Sequence, residues 1–283
     1  MRILSSMRRI LAYCDLTERS DAALLRAARL AQRQGAELVI LHATDGDEAA
    51  AHEALAAGLA DLPLECPAAL HVVRGRPFVE IIRASRSLDA GLVVVGALAE
   101  SAVRGFVLGS TAERLIRKGD RPVLVVKNPT WRLWRRVLVA SDCSETSLRA
   151  ARLALSLRPD AQMTLLHVVE PQPEARLRRF GATEPELRDL REEALQAGRQ
   201  ALDRFRAQLP PEARIDLLVQ QGSAVNTIPD VARELRVGLV ALGTHGRSGA
   251  SHMLLGSVAE SVVREAPCDT LTVRPEAFRF ELP

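Results

Sequence analysis

The segment LVALGTHGRSGASHMLLGSVAES, residues 239–261, sets Gly243, Gly246, Gly249 and Gly256 between an apolar run and a helical pattern, with Ser257 after the last glycine. Glycine lets backbone amides approach a ligand with no Cβ in the way, and successive amides in one loop form a nest for an anion. A helix start adds free N–H groups and a partial positive charge. One helix end contributes only about 0.3–1 kcal/mol toward a nearby charge, so several amides must act together. Gly243, two residues, Gly246, nine residues, then Gly256-Ser257 therefore read as a phosphate cradle. The Ser257 hydroxyl adds a donor and Arg247 a cation. Turn geometry would explain any one of these glycines alone; the ordered set asks for more.

Other chemistries lack their residues. No GxxxxGK followed by Ser or Thr is present, no GxGxxG follows the first strand of either half, and HExxH and GxSxG are missing. Cys14, Cys66, Cys143 and Cys268 are scattered with no CxxC pair, as expected of reduced thiols in a cytoplasmic protein. Aromatic residues make up 3% of the chain and the net charge is +3, which argues against a nucleic-acid partner. No apolar stretch reaches the length of a membrane span, so no membrane partner is expected.

The elements that must position the cradle come in duplicate. RRILAYCDLTERSD from Arg8 answers RRVLVASDCSETSL from Arg135, and GSTAERLIRKGDRPVLVVK from Gly109 answers GSVAESVVREAPCDTLTVR from Gly256. Val-, Leu- and Ile-rich runs predict strands near 9–14, 37–43, 69–74, 91–96 and 122–127, then near 136–141, 162–169, 214–220, 238–243 and 269–274. Helical patterns separate them. The expected fold is α/β, with two tandem doubly wound, five-stranded parallel sheets of Rossmann-like type. The boundary falls in KNPTWRLWRR, giving domains 1–129 and 130–283, with Trp131 and Trp134 as packing anchors between them. A long amphipathic helix is predicted over 184–209, after a basic loop EARLRRFGATEP.

With the strand ending VALG, the spacing G-x-x-G, nine residues, G-S, and the following VAESVVREAPC, the chain resembles the nucleotide-binding universal stress protein family, in two tandem copies. The resemblance implies the adenine-nucleotide alpha hydrolase-like fold. It also implies an adenine nucleotide: ATP first, ADP or AMP as alternatives, with or without Mg. By the same resemblance, Asp142 meets the ribose or adenine edge and the Val168 backbone meets the adenine ring. Ala140 and Ser141 line the base pocket, and Leu242 and Gly243 pack near base and sugar. His245, Gly246, Gly256, Ser257 and Val258 hold the phosphates. Asp142 and Val168 also fall at the carboxyl ends of neighbouring predicted strands, where α/β ligands bind. A helix N-cap is the alternative role for Asp142. His42 and His167 occupy matching strand positions and read as hydrogen-bonded core histidines. The resemblance further implies that the two domains pair within the chain, with a homodimer as an added option.

The first half departs from the pattern. It keeps Gly96, Gly109 and Ser110 but has Ala99 for Gly246, Glu100 for Arg247 and Ala102 for Gly249. A carboxylate about 4 Å from a phosphate costs roughly 4 kcal/mol at an effective dielectric near 20, which Arg104 offsets only in part. Nucleotide is therefore expected in the second half and little or none in the first. A regulatory nucleotide binder is the favoured function. A slow ATPase or another enzyme of the superfamily is the alternative, weakened because ASDCSETS and AYCDLTER stand where such enzymes carry SGGxDS. A scaffold with vestigial sites is the third reading, and the complete glycine set of the second half opposes it.

Overall fold

The computed structural model describes residues 7–97, 100–101, 105–106, 108–130, 132–170, 174–244, 256–276 and 278–282. The first half runs β1 (Arg9–Tyr13), α1 (Glu18–Gln34), β2 (Glu37–Thr44), α2 (Glu48–Ala60), β3 (Ala68–Arg74), α3 (Pro77–Ser87) and β4 (Leu92–Gly96). A small antiparallel pair, β5 (Glu100–Ser101) and β6 (Gly105–Phe106), precedes α4 (Ser110–Lys118) and β7 (Val123–Val126). The second half runs β8 (Arg136–Ala140), α5 (Glu145–Leu157), β9 (Gln162–Val169), α6 (Glu174–Arg179), α7 (Glu184–Arg206) and β10 (Ile215–Gln221). It closes with α8 (Ala224–Glu234), β11 (Leu239–Gly243), α9 (Ser257–Glu265) and β12 (Asp269–Val273).

Local chemistry sets these limits. α1 ends where Gly35 turns left-handed at φ 61 and the Ala36 amide reaches back to the Ala31 carbonyl. α5 starts at Ser144, whose side chain accepts the Ser147 amide, and α7 at a Thr183–Glu186 capping box. The strands β4, β7 and β12 are buried nearly throughout, as parallel strands covered on both faces must be. Two helix limits needed correction. The basic stretch before α7 is not all loop, because its first six residues form α6, and α7 itself stops at Arg206.

The two expected five-stranded sheets are one ten-stranded sheet, in the order β10-β9-β8-β11-β12-β7-β4-β1-β2-β3. Each half supplies five parallel strands in doubly wound order, and β7 pairs antiparallel with β12 at the seam. The seam centres on Leu124 opposite Leu271, which are equivalent positions in the repeat. Two edges that would each expose unpaired backbone thus satisfy one another. Alternating side chains feed different cores. Ile10, Ala12, Leu124, Val139 and Leu271 face one core under α1, α5 and α7 that is shared by both halves. On the opposite face there are two clusters, Leu11 and Leu41 packing under α3 and α4, Leu138 and Leu166 under α8 and α9, with Val263 of α9 entering the first of them.

A buried carboxylate locks the linker to the seam. Asp269, fully buried, accepts the Lys127 and Asn128 amides at 2.9 and 3.0 Å and the Trp134 indole N–H at 2.8 Å. The Arg26 guanidinium stands 3.4 Å from the same carboxylate and stacks over the Trp134 ring. Trp134 is thus an anchor between the halves, as expected; Trp131 lies outside the described residues.

Candidate functional site

The carboxyl ends of β8 and β11 are the point where the chain's crossovers diverge to opposite sides of the sheet, and a cavity of about 330 Å³ opens there. β8 delivers Ala140 to its wall, and the turn after it is held tightly. The Ser141 amide donates to the Leu166 carbonyl at 2.8 Å, and the Ser141 hydroxyl accepts the Cys143 amide at 3.0 Å. Cys143 takes a left-handed φ of 62 in this turn, and Leu16 repeats that at φ 61 in the first half. Asp142 Oδ1 accepts the Ser144 amide at 3.1 Å. The N-cap of α5 is Ser144, so the N-cap alternative for Asp142 fails by two residues. His167 Nδ1 donates to the Ser141 carbonyl at 2.8 Å, as His42 does to Cys14 at 2.9 Å, which makes both the satisfied core histidines expected.

β11 ends on Leu242 and Gly243, and Thr244 continues the ladder to the Val273 carbonyl. The Gly256 amide then donates to the Thr244 carbonyl at 3.0 Å, pinning the base of the intervening loop. α9 starts immediately afterwards with no side-chain cap at Gly256. Its first amides have no acceptor within the helix, and Ser257 to Ala259 line the cavity.

Ala140, Ser141, Asp142, Val168, Leu242, Gly243, Gly256, Ser257 and Val258 all border this one cavity. His245, Gly246 and Arg247 lie outside the described residues, as do Gly249 and His252. Two glycines carry a structural duty that spacing did not reveal. A Cβ on Gly243 would stand 3.0 Å from Thr146 Cγ2 and 3.3 Å from the Ser147 amide, so its bareness lets α5 pack against β11. A Cβ on Gly256 would stand 3.0 Å from the Thr244 carbonyl oxygen. Leu166, Glu170, Ala224, Ile228, Thr244 and Ala259 complete the lining and escaped the sequence reading. Leu166 sits two residues before Val168 on the same strand face, and Ala224 and Ile228 share one face of α8 at i, i+4. Those spacings were the available signal.

The cavity is apolar at the β9–α8 end, where Leu166, Val168, Ala224 and Ile228 meet. It is polar toward α9, with Ser257 and the helix amides. Asp142 lies on the wall, and Glu170 adds an exposed carboxylate at the rim. The equivalent space in the first half is about 220 Å³, lined by Tyr13, Asp15, Ser20, Gly109, Ser110 and their neighbours. Burial, with Asp15 beside it, pushes the Tyr13 phenol up to about 12. A roomier hollow of about 570 Å³ lies at the opposite rim among Arg135, Arg158, Asp160 and Arg214. It is an open groove whose Arg158 is already engaged by Asp160, and no strand carboxyl ends converge on it.

The fold and the site repeat in both halves, and so does the match to known proteins. The model of the universal stress protein family matches residues 7–127 and again 133–274. The chain belongs to the universal stress protein family. Universal stress protein E of Salmonella typhi is 26% identical over 287 residues, covering 98% of this chain and 88% of its own. A universal stress protein E homolog of Haemophilus influenzae is 33% identical over 172 residues, 57% of this chain and 55% of its own. A functionally unknown protein of Pseudomonas aeruginosa, known from a crystal structure, superposes with a TM-score of 0.66 at 22% identity, covering 95% of this chain and 93% of its own. That last likeness concerns the fold. The universal stress protein described here carries both family matches within one continuous chain.

Proposed function

We propose that the second half of this universal stress protein binds an adenine nucleotide, ATP foremost, and acts as a regulatory binder. The observation that carries the reading is convergence. Nine residues singled out on four separate segments share the wall of one cavity at the strand switch point. The apolar end suits a purine, Asp142 on the wall suits ribose hydroxyls, and the uncapped start of α9 with Ser257 suits phosphate. Among the described residues no group of three His, Cys, Asp or Glu side chains stands together to hold a metal ion, so Mg enters this reading only as a companion of the phosphates. No described helix is long and apolar enough to cross a membrane. Homodimerisation, if it accompanies binding, falls to the two sheet edges β3 and β10.

Mass spectrometry of gently purified protein is the test, together with calorimetric titration by ATP. One adenine nucleotide per chain is expected, lost in Gly246→Val, with phosphate release no faster than in a protein-free control. Wild-type protein that carries no adenine nucleotide and shows no thermal shift with ATP overturns the reading. Steady phosphate release abolished by the same substitution would replace the binder with an ATPase.

A further inference from the structure

The two halves share a strand-end frame, yet only one leaves its apolar end open. In the second half Ala140 lines the same cavity as Leu166, Val168 and Ile228. The repeat places Tyr13, Leu41, Ala43 and Ile81 at those positions in the first half. Leu41, Ala43 and Ile81 are buried in one cluster, and Tyr13 packs against it. None of the three borders the first-half cavity, whereas Tyr13 does, and that cavity is smaller by about a third. What survives there is the polar end, with Ser110 and Thr111 at the start of α4 and Asp15 opposite. The ring stands where the second half has a methyl group and open space.

We infer that Tyr13 closes the first half to the base of a nucleotide, so that the residue at this one position, Tyr13 or Ala140, decides which half admits the base. The inference rests on the proposed nucleotide reading of the second half and adds a separate cause of asymmetry. Ala99, Glu100 and Ala102 depart from the pattern at the phosphate end, and nothing there rejects a ligand that has no phosphate. A ring in the base position rejects adenosine as well as ATP.

Adenosine is therefore the probe, titrated calorimetrically into the full chain, with circular dichroism to confirm that each variant is folded. Wild type is expected to bind one adenosine per chain, Tyr13→Ala two, Tyr13→Phe one and Ala140→Tyr none. Tyr13→Val, which keeps a strand-forming residue, replaces Tyr13→Ala if that variant does not fold. A count that stays at one in the folded Tyr13→Ala or Tyr13→Val chain overturns the inference while leaving the second-half reading intact. Retention of adenosine by folded Ala140→Tyr overturns it too. If wild type binds neither adenosine nor ATP, the nucleotide reading has failed, and the plug is judged by indole alone. Uptake by the Tyr13→Ala chain and not by wild type supports a ring-sized void; equal behaviour of the two overturns it.

Discussion

Glycines carried the sequence argument, and at the scale of single residues the structure divides their work. Gly243 is bare because the first turn of α5 sits on it, with Thr146 Cγ2 at 3.0 Å from a would-be Cβ. Gly238 is bare for a similar reason, since Trp134 Cδ1 would stand 2.9 Å away, and Met7 does the same to Gly91. These pairs leave no room for a side chain just before β4 and β11. Overpacking of this kind costs about 1–3 kcal/mol. Gly243→Ala is accordingly expected to lower the unfolding free energy of ligand-free protein by that order, read as a lower urea midpoint, before any effect on binding is considered. Unchanged ligand-free stability with weakened ATP binding would show instead that Gly243 serves the ligand alone. The positions of these glycines were legible from spacing, but their neighbours were not. Thr146 and Gly243 are nearly a hundred residues apart, and no local pattern joins them. Asp269 was missed altogether, although a carboxylate opening a fully buried strand has its partners elsewhere in the chain.

At the scale of elements, the last strand of each half ends in a cation that reaches into the other half. Lys127 Nζ donates to the Ala266 carbonyl at 2.7 Å, at the end of α9. Arg274, its equivalent in the repeat, donates to the Ile116 and Arg117 carbonyls near the end of α4. Cations at helix carboxyl ends meet both free carbonyls and the negative end of the dipole. Burial lowers Lys127 from its ordinary 10.5 to about 8, with Cys268 and Asp269 opposing the shift. Between pH 8 and 10.5 the unfolded chain keeps a proton that the folded chain has released, so this group makes stability rise with pH across that window. Below pH 8 both states are charged and the burial penalty is fully present, amounting to roughly 3 kcal/mol. Cys268, pushed up to about 12 chiefly by burial, acts in the opposite direction above pH 9. The comparison must therefore be between variants. Relative to Lys127→Met, wild type is expected to gain stability from pH 8 to 10 in urea unfolding, and parallel profiles would refute the assignment. Strand limits were legible to within a residue or two because uninterrupted Val, Leu and Ile runs leave little choice. The β7–β12 pairing and its crossed caps were not, because edge pairing has no periodicity of its own.

One core under α1, α5 and α7 spans the seam, and this shapes the molecule as a whole. Side chains from β1, β7, β8 and β12 enter it together, so neither half can expose that face without exposing the other's. Gln34 on α1 donates to the Ser156 carbonyl on α5 at 2.7 Å, extending the contact between helices of the two halves. At the start of β12, Asp269 is the only carboxylate among the described residues that joins Arg26 of the first half to Trp134 of the second. Burial lowers the Arg26 pKa and Asp269 opposes the shift, so the guanidinium is charged at a cost that its partner offsets. Asp269→Ala leaves that buried cation without a counter-charge, a loss of about 3–5 kcal/mol. Because the core is common, the loss must fall on both halves. A single calorimetric transition is expected for wild type, moving down as one transition in Asp269→Ala. Replacing Arg26 by Met in that background should recover part of the loss, since two apolar residues tolerate burial better than one orphaned ion. Two resolved transitions, with only the later one shifted by Asp269→Ala, would mean that the halves fold independently. The sheet would then join two domains without coupling them, and a nucleotide bound near β8 would have no route through the core to the first half.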